Sequence, residues 1–110
     1  MRALSYLRMR YTLRSVHVIT RKRLRDFAAR HREAAEPLAI WHSIMTRTDF
    51  GSFAEIKRVF GSVDKVGKFT VFDIGGNKFR LIAAIHFNRK KVYIRHVLTQ
   101  AEYDQDKWKE

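Results

Sequence analysis

Arg80, Arg95 and Lys68 are the residues of this chain whose types and expected spacing suit chemistry on a phosphate. A guanidinium stays charged at any working pH and presents a planar fork that meets two phosphate oxygens at once. Displacement at phosphorus needs a base for the attacking hydroxyl, charge neutralisation at the five-coordinate phosphorus, and an acid for the departing oxygen. Arg80 and Arg95 suit the second task. Lys68 or His86 could move protons, although neither has a carboxylate partner visible in the sequence.

Whether these residues meet depends on strand register. Three stretches, KFTVFDI (68–74), KFRLIAAIHFN (78–88) and KVYIRHVLT (91–99), are rich in β-branched and aromatic residues and are separated by turn signals. Links this short cannot cross over, so an antiparallel meander is expected. If Arg89-Lys90 is a two-residue turn, Asn88 faces Lys91, Ala84 faces Arg95, His86 faces Tyr93 and Arg80 faces Thr99. If Gly75-Gly76-Asn77 is a three-residue loop, Ile74 faces Lys78, Phe72 faces Arg80 and Lys68 faces Ala84.

One face then carries Phe79, Leu81, Ala83, Ile85 and Phe87 with Val92, Ile94 and Leu98, and must meet helices. The other gathers Lys68, Phe72, Arg80, His86, Tyr93 and Arg95, with Lys68 and Arg95 about 9–10 Å apart on either side of Ala84. A basic face set with aromatic rings suits RNA, because cations meet phosphates while rings stack on unpaired bases. Phe72, Lys78, His86 and Tyr93 are the expected RNA contacts. His96 falls on the helix side as a structural histidine. The string Gly75-Gly76-Asn77-Lys78 leads into a strand, not a helix, so it reads as a tight hairpin and not a phosphate loop.

The elements that carry this sheet follow from local pattern. VHVI (16–19) reads as a strand. The segment from Arg21 to Thr48 reads as two helices, with Leu24, Phe27 and Ala28 on one stripe and Leu38, Trp41, Ile44 and Met45 on another. Pro37 marks their break or an early turn of the second. Ser52 and Glu55 form a capping box for a short helix, and Thr99 and Glu102 another for a C-terminal one. The expected class is α+β: a small antiparallel sheet of three to four strands, N-terminal helices on one face and a short C-terminal helix.

Composition bounds the function. The 110 residues suit one domain. With 23 Lys+Arg against 11 Asp+Glu the net charge is +12, which favours a polyanionic partner. The first fifteen residues hold Arg2, Arg8, Arg10 and Arg14 and no acid; they read as a basic extension outside a domain spanning 16–110, and the excess of base survives without them. No run of about 18 apolar residues suggests a membrane span. The absence of cysteine rules out disulfides and thiolate chemistry and fits a reducing cytoplasm. The histidines, Asp64 and Asp73 make no metal-ligand pattern, so neither metal nor cofactor is expected.

The strings VHVIT, VFDIGGNKFRLIAAIHF and VYIRHVLTQAEYD resemble the start, centre and end of HigB-type toxins, members of the RelE-like group of small ribonucleases. The likeness runs from Val16 to about Trp108. It implies a toxin of a bacterial type II toxin–antitoxin system: a cytoplasmic, metal-independent mRNA endoribonuclease that acts on the ribosome and inhibits translation. The ribose 2′-OH would attack the adjacent phosphate. The expected partner is a HigA-like helix-turn-helix antitoxin, with DNA contacted only through that complex. By position Arg80 matches the strand arginine that binds the scissile phosphate, and Tyr103 the C-terminal tyrosine that stacks on a base or assists proton transfer. Lys68 is the nearest substitute for the family's lysines. Gln100 stands where family members often carry histidine, and glutamine cannot exchange a proton. The rival reading is a non-catalytic RNA- or ribosome-binding module on the same face.

Overall fold

In a computed structural model the described residues are 17–109. The expected basic extension, residues 1–15, lies outside them. Strand β1 (His17–Ile19) leads into helix α1 (Lys22–Arg30), a single 3-10 turn (Arg32–Ala34) and helix α2 (Ala35–Arg47). Helix α3 (Phe53–Val59) precedes four strands, β2 (Asp64–Val66), β3 (Phe69–Ile74), β4 (Phe79–His86) and β5 (Lys91–Thr99). Helix α4 (Gln100–Asp104) and a 3-10 turn (Lys107–Lys109) close the described chain.

The helices form where their apolar residues recur at helical spacing. Leu24 and Phe27 are the buried stripe of α1, and Leu38, Trp41 and Met45 that of α2. Pro37 sits in the first turn of α2, where the amide it lacks would have no helical partner. Ser52 accepts the Glu55 N–H at 3.4 Å, but the Glu55 carboxylate accepts from the Gly51 N–H at 2.7 Å, one residue before the expected partner. At α4 the capping box is complete: Thr99 Oγ1 accepts from the Glu102 N–H, and the Glu102 carboxylate accepts from the Thr99 N–H.

The sheet has five strands in the order β1-β5-β4-β3-β2. This is one or two more than expected; the short β2 was not foreseen. Three neighbouring pairs are antiparallel, while β1 runs parallel to β5.

Both hairpins differ from the expected register. Ile74 pairs with Phe79, so the glycine loop spans four residues, Gly75–Lys78. The glycines take φ of 62° and 71°, conformations that Gly adopts freely. His86 pairs with Lys91, and the link is a 3-10 turn (Phe87–Arg89) followed by Lys90 at φ 56°. A two-residue type I′ turn needs positive φ at both positions, and Arg89-Lys90 supplies no glycine or asparagine for it. Between Ala83↔Ile94 and Ile82↔His96 the ladder bulges, leaving Arg95 without a cross-strand partner.

These shifts redistribute side chains. Phe72 pairs with Leu81 and is 1 % exposed, its ring packed edge-on against Trp41 and Phe60. The principal core joins Phe72, Leu81, Val92 and Ile94 to Phe27, Leu38 and Trp41 of the helices. Burying such side chains stabilises the fold by about 1.5–3 kcal/mol each. Beyond the bulge Val97 takes the core position expected for Leu98. The other sheet face is not open along its length. Phe69, Val71, Ile82 and Trp108 form a second small cluster there, edged by Leu98 and Tyr103.

Candidate functional site

Arg80 stands on β4 with Asp73 beside it on β3, because the four-residue loop pairs these two positions. Arg80 Nε lies 3.1 Å from Asp73 Oδ1, the two side chains being 13 % and 24 % exposed. Arg80 Nη1 donates to the Asn77 carbonyl at 3.2 Å and the Phe79 carbonyl at 3.1 Å. Two of the three guanidinium nitrogens are thus held within the chain, and among the described residues Nη2 has no hydrogen-bond partner.

The plane of this cation is covered by an aromatic pile. The guanidinium carbon lies 5.4 Å from the centre of the Tyr103 ring. Tyr103 stacks on Trp108, with ring centres 5.1 Å apart and planes 13° from parallel. Trp108 Nε1 donates to the Tyr103 carbonyl at 3.0 Å, and Asp106 at φ 62° turns the chain back to allow it. Lys109 Nζ caps the pile 5.6 Å from the Trp108 ring. Such cation–ring contacts are worth about 0.5–2 kcal/mol, more as water is excluded. Burial pushes the Tyr103 phenol above its ordinary pKa; the Arg80 charge pulls it back, and Asp64 pushes with burial. At neutral pH Tyr103 is therefore a hydrogen-bond donor and not a phenolate base.

The glycine hairpin and α4 are tied together: the Gln100 N–H donates to the Lys78 carbonyl at 3.0 Å. That bond sets the start of α4 against the loop that delivers Arg80. The site is thus built at one end of the sheet, where β3, β4 and α4 meet.

The other expected site residues are distributed differently. Phe72 cannot stack on a base, since it is core; the slip of one residue exchanged it with Asp73. Lys68 lies in the β2–β3 turn and not opposite Ala84, so the expected Lys68–Ala84–Arg95 row does not form. Its Nζ instead sits 5.5 Å from the Phe69 ring, which meets Trp108 edge-on at 6.2 Å. Lys68 therefore joins the far end of the aromatic series that begins at Arg80.

Arg95 is exposed on the bulge, three residues along β5 from the partner of Arg80. That is about 10 Å at the strand rise. Lys78 reaches toward the helices and pairs loosely with Glu33 at 3.4 Å. His86 faces Lys91, not Tyr93, yet its ring meets Tyr93 diagonally at 5.3 Å. This pair lies six residues from Arg80, about 20 Å along the strand. His96 pairs with Ile82 beyond the bulge and shares a recess with Arg23, Asp26, Phe27 and Arg30 of α1, so it lies beside the first helix at the edge of the sheet. Burial lowers its pKa, with Arg23 and Arg95 acting in the same direction.

Asp73 and Trp108 are the residues the sequence reading missed. Asp73 needed the correct loop length. Trp108 had a signal in its five-residue spacing from Tyr103, but only the turn at Asp106 makes them stack. Among the described residues no three His, Cys, Asp or Glu side chains gather to hold a metal ion. No described helix is long and apolar enough to cross a membrane.

Known proteins with this pattern agree with one another. A family model described as HigB toxin, RelE-like toxic component of a toxin–antitoxin system, matches residues 34–106. A curated Escherichia coli protein, "mRNA interferase toxin HigB", is 35 % identical over 92 residues, covering 81 % of this chain and 88 % of its own length. The Shigella flexneri "mRNA interferase HigB" matches to the same extent, and one from a further Escherichia coli strain is 30 % identical over 92 residues. The chain belongs to the HigB toxin family, the RelE-like toxic component of toxin–antitoxin systems.

Proposed function

We propose that this chain is a metal-independent endoribonuclease that cleaves mRNA on the ribosome and thereby arrests translation. The observation that carries the reading is Arg80: a partly buried guanidinium, oriented by Asp73 and two carbonyls, stacked on Tyr103, with Nη2 left to bind phosphate. A held arginine stabilises developing phosphorane charge without reorganising at the moment of reaction. The ribose 2′-OH is the nucleophile and the 5′-oxygen departs, leaving a 2′,3′-cyclic phosphate. This route brings its own nucleophile, so it needs no metal-bound water.

Tyr103, neutral at working pH, donates a hydrogen bond to a phosphate or leaving oxygen and forms the wall against which a base stacks. Lys68 and Arg95 hold the RNA backbone on either side. His86 and Tyr93 make a further contact patch toward the other end of β4. Residues 16–110 are the toxin domain and 1–15 an extension. A HigA-like helix-turn-helix antitoxin restrains the activity in the bacterial cytoplasm.

Induction of the chain in cells, with 5′ ends of messages mapped, tests this reading. New ends within translated messages are expected. Growth arrest without new ends would refute cleavage. It would favour a module that holds RNA or ribosome without cutting, a role to which an arginine oriented by Asp73 is also suited.

A further inference from the structure

We propose that the trough between α1 and α2 is a docking site for an acidic amphipathic α-helix of a protein partner. Resting on the toxin reading above, that partner is the antitoxin. The trough has a volume of about 290 Å³. Arg21, Leu24, Arg25 and Ala28 line it from α1 and the residue before it, at the spacing of one helical stripe. Ala35, Leu38, Ala39 and His42 line it from α2 at the same spacing. Two such stripes would normally interdigitate and close. Here Ala28, Ala35 and Ala39 are too small to meet across the gap, so Leu24 and Leu38 form an apolar floor that a third element can reach.

The chemistry of the walls selects the occupant. Arg21 and Arg25 are exposed on the rim, and no carboxylate lines the trough. The acid on α1, Asp26, is already paired with Lys22 at 2.7 Å. An occupant must therefore bring negative charge at its edges and apolar side chains at its centre, the pattern of an acidic amphipathic helix laid in a groove. His42 supplies a second observation. Its Nε2 is buried with no hydrogen-bond partner in the described chain. Burial, reinforced by Arg21, holds the imidazole below its ordinary pKa, so it waits as a neutral group for an acceptor or donor from outside.

The trough is on the helix side of the sheet, whereas Arg80 and Tyr103 are on the other. Docking and cleavage are therefore separable by mutation. The protein encoded beside this chain, fluorescently labelled, is titrated with the full chain and binding is read by anisotropy. Arg21→Glu with Arg25→Glu, both at exposed positions, should weaken binding at least tenfold. Ala39→Trp, which fills the trough, should do the same. Arg58→Glu with Lys65→Glu, an equal charge change elsewhere, should leave binding within threefold. All three variants should still cleave message.

Binding of both trough variants within threefold of the parent would overturn the proposal. Equal loss in the Arg58/Lys65 control would overturn it too. Cleavage by the parent chain is measured in parallel. Its absence would refute the nuclease reading while the anisotropy still decides whether the trough is the docking site.

Discussion

Replacing Arg80 with lysine keeps the charge and removes the fork, and the structure says what that should do. Arg80 spends Nε on Asp73 and Nη1 on two carbonyls; on the proposed reading Nη2 meets a phosphate. A lysine has one ammonium and must choose. Opposite charges about 4 Å apart near a protein surface attract by about 4 kcal/mol, before desolvation is subtracted. A singly charged phosphate offers attraction of the same order, so Asp73 competes with the substrate for the lysine. Arg80→Lys should therefore lose about 10²–10³-fold in cleavage rate, close to Arg80→Ala, which corresponds to about 2.7–4 kcal/mol of transition-state stabilisation. Removing the competitor should recover part of the loss. Asp73→Asn in the Arg80→Lys background should regain roughly tenfold, whereas Asp73→Asn alone should slow the parent by loosening Arg80. Single-turnover cleavage of a defined message in a translation extract measures all four chains. Arg80→Lys within threefold of the parent, or no recovery in the double variant, would refute the argument that Asp73 and phosphate share one arginine.

Tyr103→Phe preserves the ring between Arg80 and Trp108 and should cost less than tenfold in cleavage, while Tyr103→Ala should cost at least ten times more; equal losses would assign the tyrosine's role to its hydroxyl. Trp108→Ala should destabilise the fold by about 3–5 kcal/mol, read from urea unfolding, because it opens the cluster over Phe69 and Ile82. Phe72→Ala should show a loss of similar size; any fraction that stays folded should bind RNA as the parent does, since Phe72 is core. The folded-state pKa values of His42 and His96 are depressed, so the folded chain binds fewer protons than the unfolded one. Their stabilising effect is complete above the unfolded pKa of about 6.5 and is lost as pH falls below it. The unfolding midpoint should drop between pH 7 and pH 5.5, and His42→Gln with His96→Gln should flatten that drop.

Much of this architecture is legible in the sequence because its signals are local. The stripes of α1 and α2 and the Thr99–Glu102 capping box each depend on residues within a few positions of one another. The site was less legible because it depends on phase. β3 is covered on both faces, by the helices and by the Trp108 cluster, so FTVFDI carries hardly any alternation to fix its phase. A loop of three residues in place of four then exchanged Phe72 for Asp73 beside Arg80. The bulge at Arg95 was invisible for a similar reason: VYIRHVL reads as one continuous strand, and the irregularity exists only in its pairing with β4.

The parallel run of β1 beside β5 gives the molecule a polarity that matters at the bench. The His17 N–H donates to the Lys90 carbonyl at 2.7 Å, so the described chain enters at the end of the sheet where β5 begins. The aromatic pile on Arg80 sits at the opposite end, where β5 finishes, and Lys109 lies on top of it. A tag or fluorophore joined after Lys109 would start on the pile itself and cover the Trp108 surface. A probe attached at His17 itself would start a strand's length away, so β1 is the handle of choice for a label that must not touch the pile.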